Sequence, residues 1–359
     1  MSGVFEFYRL PTSTQGVVFQ QTGVAAPADT AMNLSIDLGN ISSVRQRVAV
    51  ILHDADWDDL QFCTFWLEAG QALETYQMRT FNPQAWTNAT LSIYASTTSN
   101  DGFIQLDNVA LTPIVGGNYN ETLCIDPNAP AATATPSSAN MVVNGGFNAP
   151  LAATPDTGWV AFNMIDAEIM DGFLVMYRTG TPAGSVFQNT DDAIAANTPL
   201  EVSFRVSNGS PLRQRVTVIA HAADWSNLTA CSFWIDGMTP LTTIMMRTYN
   251  VAAWGAAAIS FYPQPEQTAP SDNNIVIDDV VYRQIPDKTV AGTECYGVGS
   301  MIPAQLEPEI ARLRDSAAAG VAQPAVIAPA LAGVPAEQAI IAPLSPAPET
   351  TTDEGTISE

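Results

Sequence analysis

The sequence predicts an all-β protein of two tandem antiparallel β-sandwich modules, followed by an Ala/Pro-rich tail. Three observations predict it. The chain repeats itself: residues 44–66 (VRQRVAVILHDADWDDLQFCTFW) return as residues 212–234 (LRQRVTVIAHAADWSNLTACSFW), identical at 14 of 23 positions. Apolar and polar residues alternate, as where Leu200, Val202, Phe204 and Val206 share one face and Glu201, Ser203 and Arg205 the other, the pattern of a half-buried strand. Gly, Pro, Asn and Asp punctuate these runs at intervals of about 8–15 residues, which suits antiparallel strands rather than βαβ units.

The repeat holds at an offset of 168 from Met78, Arg79 and Thr80 against Met246, Arg247 and Thr248 to Tyr94 against Tyr262. It slips to 171 where Asp107, Asn108 and Val109 meet Asp278, Asp279 and Val280. Strands are expected in the first copy at 17–21, 32–38, 45–53, 62–68, 75–80, 90–95 and 103–111, with counterparts in the second. Near each module's end the alternation changes phase, from Ile104 and Leu106 to Val109 and Leu111, and from Ile275 and Ile277 to Val280 and Tyr282. A one-residue slip kept in both copies predicts a β-bulge.

The division that follows is a first module over 1–125, a linker over 126–139, a second module over 140–300 and a tail over 301–359. Gly3, Tyr8 and Arg9 match Gly172, Tyr177 and Arg178, so the first copy has no counterpart of roughly 141–169 and is expected to lack its N-terminal strands. The linker is Pro/Ala/Thr/Ser-rich and expected to be semi-extended. The tail has no aromatic residue and should be mostly disordered, except that Leu306, Ile310 and Leu313 ahead of Gly320 predict a short helix over 303–319.

Thirteen basic residues against 36 acidic ones give a net charge of −23. Phosphate backbones and anionic lipid surfaces would repel such a chain, so no nucleic acid is expected as partner. No apolar run reaches the length of a membrane-crossing helix, so no membrane insertion is expected either. The four cysteines obey the repeat, Cys63 matching Cys231 and Cys124 matching Cys295. One pair per module is the pattern of an intradomain disulfide in an exported protein, Cys63 with Cys124 and Cys231 with Cys295. The alternative is that Cys63 and Cys231, flanked by apolar residues, are buried thiols.

The second module opens with Asn144, Gly145, Gly146 and Phe147, then Gly158 and Trp159, and closes with Ile275 to Tyr282 (IVIDDVVY). This pair of signatures resembles the galactose-binding-like jelly rolls of carbohydrate-binding modules in families 4, 9 and 22. The resemblance covers the second module and, through the repeat, the first. It implies two tandem jelly-roll domains, a polysaccharide or glycan as ligand, and no catalytic role. In that class a structural calcium often lies where the first and last strands meet, which here implies Asn148 and Asp278, with Asp107 in the first copy; otherwise no cofactor is expected. Asn148 brings no charge, and the competing reading is that Asp278 and Asp107 hydrogen-bond backbone at the bulge.

Trp57 and Trp225 follow a strand in matching loops, where an indole can stack on the C–H face of a sugar; the alternative is a ring folded back over the sandwich end. Arg79 and Arg247 are retained mid-strand and could fork onto a sugar hydroxyl or a neighbouring carboxylate. The acidic loop at Asp54, Asp56 and Asp59 becomes Ala222, Asp224 and Asn227 in the second copy, which argues for a turn cap at Asp56 and Asp224 rather than a metal site. His53 and His221, one per module, lack a nucleophile or a paired carboxylate at catalytic spacing. The expected function is a non-catalytic, carbohydrate-binding tandem module of an extracellular or cell-surface protein, the alternative being a structural or adhesive spacer.

Overall fold

A computed structural model describes residues 3–13, 16–57, 59–97, 103–114, 120–180, 183–264, 274–300 and 312. The predicted helix and disorder of the tail lie outside the described residues, Arg312 excepted. Among the described residues the first module has nine strands: β1 (Phe5–Phe7), β2 (Val17–Gln21), β3 (Thr30–Asn40), β4 (Gln46–His53), β5 (Leu60–Leu67), β6 (Glu74–Asn82), β7 (Thr90–Ala95), β8 (Ile104–Pro113) and β9 (Glu121–Ile125). The second has eleven: β10 (Val160–Phe162), β11 (Ile165–Met170), β12 (Phe173–Arg178), β13 (Ser185–Asn189), β14 (Thr198–Asn208), β15 (Gln214–Ala222), β16 (Leu228–Ile235), β17 (Thr242–Asn250), β18 (Ala257–Gln264), β19 (Ile275–Gln284) and β20 (Gly292–Tyr296).

Each module is an antiparallel sandwich, as its alternation predicts. Its core is one apolar cluster, from Leu34, Ile36, Val50 and Phe65 in the first module and from Val202, Phe204, Val218 and Phe261 in the second. Two short sheets, β2-β7-β4-β5 and β10-β13-β18-β15-β16, form one layer. The opposite layer is a single sheet of eleven strands, β1-β8-β3-β6-β9-β20-β17-β14-β19-β12-β11, because β9 and β20 pair across the modules. The expected bulges are present, with register shifts between Ser35 and Asp37 and between Ser203 and Arg205. Asn108 and Asp279 there adopt φ of 47° and 50°.

Two features depart from the sequence reading. The 103–111 strand is not the last of its module, since β9 and β20 follow and carry Cys124 and Cys295. Both disulfides are formed, Cys63 to Cys124 and Cys231 to Cys295, with Cα separations of 5.5 and 5.6 Å. They tie the edge strands β5 and β16 to the paired strands below them. The linker is also not free: the amides of Thr133 and Ser138 donate to the carbonyls of Pro286 and Gln284 at 2.6 and 2.8 Å, and Ala129 packs with Tyr249, Ile285 and Val290.

Candidate ligand-binding groove between the modules

The short sheets bring their edge strands β5 and β16 side by side, and the repeat makes the contact reciprocal. Trp66 Nε1 donates to the carbonyl of Leu228 at 2.9 Å, and Trp234 Nε1 to that of Leu60 at 3.0 Å. Each indole is also a platform for arginine, with Arg45 4.7 Å from the Trp66 ring and Arg213 4.2 Å from the Trp234 ring. The ring face attracts the guanidinium, and Arg45 also lies 3.9 Å from Glu68. Arg213 additionally reaches across to Asp59 at 3.3 Å. Burial pushes the Asp59 carboxyl up, against the pull of Arg213 and the Trp86 indole N–H.

Between the modules lies one apolar cluster, Ile51, Leu60 and Phe62 from one side and Ile219, Leu228 and Ala230 from the other. Four half-buried aromatic residues surround it: Trp57, Tyr94, Trp225 and Tyr262. Beneath the seam a cavity of about 10 Å³, lined by Thr64, Trp66, Thr229, Tyr249 and Thr293 among others, has room for about one water.

The two loop tryptophans are folded over their histidines. Trp57 stacks on His53 with centroids 3.5 Å apart and Trp225 on His221 at 3.7 Å, so one face of each indole is already covered. Both sit at positive φ, 67° and 61°, a strained backbone for a bulky side chain. Each imidazole is fixed by its own strand pair: His53 Nε2 lies 2.9 Å from Ser92 Oγ and His221 Nε2 2.8 Å from Ser260 Oγ. The Nδ1 atoms face the carbonyls of Asp54 and Ala222. Burial lowers both imidazoles, His221 to about 4. Ser92 and Ser260 are as buried as the histidines. These pairs are clasps between neighbouring strands, sealed from any substrate.

The aspartates expected to cap the loop act in one copy as foreseen, since Asp224 Oδ1 accepts from the Ser226 amide at 3.0 Å. In the first copy Asp54 also serves the loop, accepting from the amides of Ala55, Thr87 and Asn88. Burial disfavours its charge, but those bonds outweigh it and hold the carboxyl below its usual range.

Arg79 and Arg247 are nowhere near the groove. They lie in the long sheet and are buried against carboxylates, Arg79 3.8 Å from Glu121 and Arg247 3.0 Å from Glu201, which also binds Arg283. Of the two readings for these arginines, the carboxylate partner is the one realised. Asp278 faces Arg205 at 3.4 Å, and Asp107 Oδ1 accepts from the Asn108 amide at 2.8 Å. Asn148 is exposed. Among the described residues no three His, Cys, Asp or Glu side chains are grouped as a metal set.

No protein-family model matches the chain, and no curated protein does. Among solved structures it is similar to a family 4 carbohydrate-binding module described as "CBM4 structure and function", with 19% identity, 40% of this chain and 99% of the other covered, and a TM-score of 0.32. It is similar to the tandem CBM22-1-CBM22-2 domain of Paenibacillus barcinonensis Xyn10C, with 13% identity, coverage of 79% and 91%, and a TM-score of 0.28. It is also similar to the VP2 subviral particle of infectious bursal disease virus, with 9% identity, coverage of 83% and 75%, and a TM-score of 0.24.

Proposed function

We propose that this chain is a non-catalytic, exported tandem module that binds neutral polysaccharide along the groove between its two halves. The observation that carries the reading is the aromatic quartet Trp57, Tyr94, Trp225 and Tyr262, kept at matching positions in both copies and left half-exposed around one apolar floor. Rings in that setting offer flat apolar faces to sugar C–H groups at about 1 kcal/mol each. Placing both copies on one rigid surface lets a polymer engage the two together. The two disulfides support an oxidising compartment outside the cytosol. The acidic surface favours an uncharged ligand over a polyanion.

Retardation of the protein in gels containing neutral polysaccharides tests this. The wild type should be retarded by at least one, and the Trp57→Ala, Trp225→Ala double variant should lose about thirtyfold in affinity while still melting cooperatively. Retardation by none, or retardation that the double variant leaves unchanged, overturns the proposal. A second reading, as an assembly unit, draws on the strands that end their sheets among the described residues, β1, β2, β10 and β11.

A further inference from the structure

The sheet shared by the modules has two faces, and only one of them lines the cores. Cys124 and Cys295 point toward the short sheets, to which their disulfides run, so Leu123, Ile125, Glu294 and Tyr296 beside them point the other way. All four are buried, the least of them Tyr296 at 3% exposure. The flanking strands do the same on this face, where Gln77 and Arg79 of β6 and Arg247 of β17 are buried too. Leu123, Ile125, Ala291 and Tyr296 form an apolar cluster of their own, and Met245 packs against it.

Among the described residues no strand lies over this face, since both short sheets are on the other side. Loops close one end of it: the Asp126 amide donates to the Ala291 carbonyl at 2.9 Å, and Ala129 packs with Tyr249, Ile285 and Val290. The other end, where Glu121 pairs with Tyr296, is where the tail departs. Ser300 is fixed there, its hydroxyl donating to the Asn120 carbonyl at 2.7 Å. A buried face that mixes apolar and charged side chains calls for a cover that is itself amphipathic.

We infer that residues 303–319 of the same chain cover this face and clamp the two modules together from outside. Tethered at Ser300, the segment is in effect concentrated beside the face, which a second copy is not. Its pattern fits the surface. Pro308 suits a first helical turn, and from there Ile310, Leu313 and Ala317 fall on one stripe, with Leu306 just ahead of it. That stripe matches the cluster around Leu123, and Glu309 and Arg314 flank it with both signs of charge, as the face carries Arg79, Arg247 and Glu121. Arg312, off the stripe, is helical and exposed. A helix from Pro308 to 319 is about 18 Å long, enough at about 4.8 Å per strand to cross from β6 of one module to β17 of the other. The inference stands whether or not the groove on the opposite layer binds polysaccharide.

Two measurements on the full chain test it. The native cysteines are all bonded, so Met245→Cys can be combined in turn with Leu306→Cys, Ile310→Cys and Leu313→Cys and mildly oxidised. At least one pair should close within a monomer, which requires its Cα atoms to come within about 7 Å. Separately, Leu306→Asp, Ile310→Asp and Leu313→Asp together should speed amide exchange at 121–125 and 292–296 about tenfold or more, with 48–52 and 216–220 unchanged. The inference is overturned if no pair closes, or if pairs close only between two chains, which assigns the face to the tail of a second copy. It is overturned equally if exchange at β9 and β20 stays as it was, or rises alike throughout both modules, which makes the segment a general stabiliser rather than the cover of this face.

Discussion

The two modules share most of their strands and differ in how their sandwiches are closed. Leu174 and Phe5 hold the same place beside the last bulged strand, and one is sealed while the other is half in water. Nine strands of each module pair alike, and the difference arises from residues 140–170 of the second, which add β10 and β11 at its edges and plug its core with Phe147 and Trp159. The strands of a sandwich set its register, and the pieces at its ends decide whether its core is dry.

The largest test removes the plug. Trp159→Ala should cost about 3–5 kcal/mol, as for other buried tryptophans, bringing the second module toward the first; urea denaturation measures it. A loss below about 1 kcal/mol would mean that the plug does not distinguish the two cores. Removing both cysteines of a bridge comes next, at about 3–4 kcal/mol for Cys63 with Cys124 and for Cys231 with Cys295. The enclosed separations, 61 and 64 residues, are nearly equal, so unequal losses would locate part of the asymmetry in the bridges.

Titration of stability probes the buried histidines. With His221 at about 4 when folded against an ordinary 6.5, the unfolded chain binds the proton first. Stability therefore falls as pH drops through 6.5 and is lost in full below 4, at most about 3 kcal/mol from this group. His221→Gln should flatten the slope between pH 4 and 6.5; an unchanged slope would refute the assignment. The smallest effect is expected of Asp59→Asn, which gives the first copy the residue the second has naturally at Asn227. It keeps an acceptor for Trp86 Nε1, as Asn227 does for Trp254 Nε1 at 2.8 Å, but leaves Arg213 without its carboxylate. A loss of about 1–3 kcal/mol is expected, and none if stacking on Trp234 alone holds Arg213.

Much of this was legible in the sequence because it repeats. Strand positions, the bulge at Asp107 and Asp278, and the cysteine pairing each follow from what both copies keep. The union of the modules was not legible. β9 and β20 are five residues long, and each buries a glutamate, Glu121 or Glu294, in the face away from the core. Their composition does not announce strands, and their pairing follows from how two finished sandwiches meet. Nothing in the repeat itself says that the indole N–H groups of Trp66 and Trp234 bond the other module's backbone. Retention in both copies marks Tyr94 and Tyr262 as well as Trp57 and Trp225, but only the tryptophans stand in loops; that the tyrosines pack against the cluster between the modules depends on the neighbouring module. The histidines' partners lie 39 residues on, at Ser92 and Ser260, across a strand pair that local spacing does not reveal.

The bridge at Cys295 has a mechanical consequence. Cys295 lies in a strand at the middle of the long sheet, five residues before Ser300, and is bonded to Cys231 in the layer above. Tension applied through the C-terminal tail meets a covalent stop there once the pairs of Tyr296 have parted, with the rest of the β20 ladder behind the bridge. At the opposite end β1 has three residues and no such anchor. A pull between the two ends therefore spends itself on the N-terminal edge, and the joint between the modules stays closed while the first strand comes away.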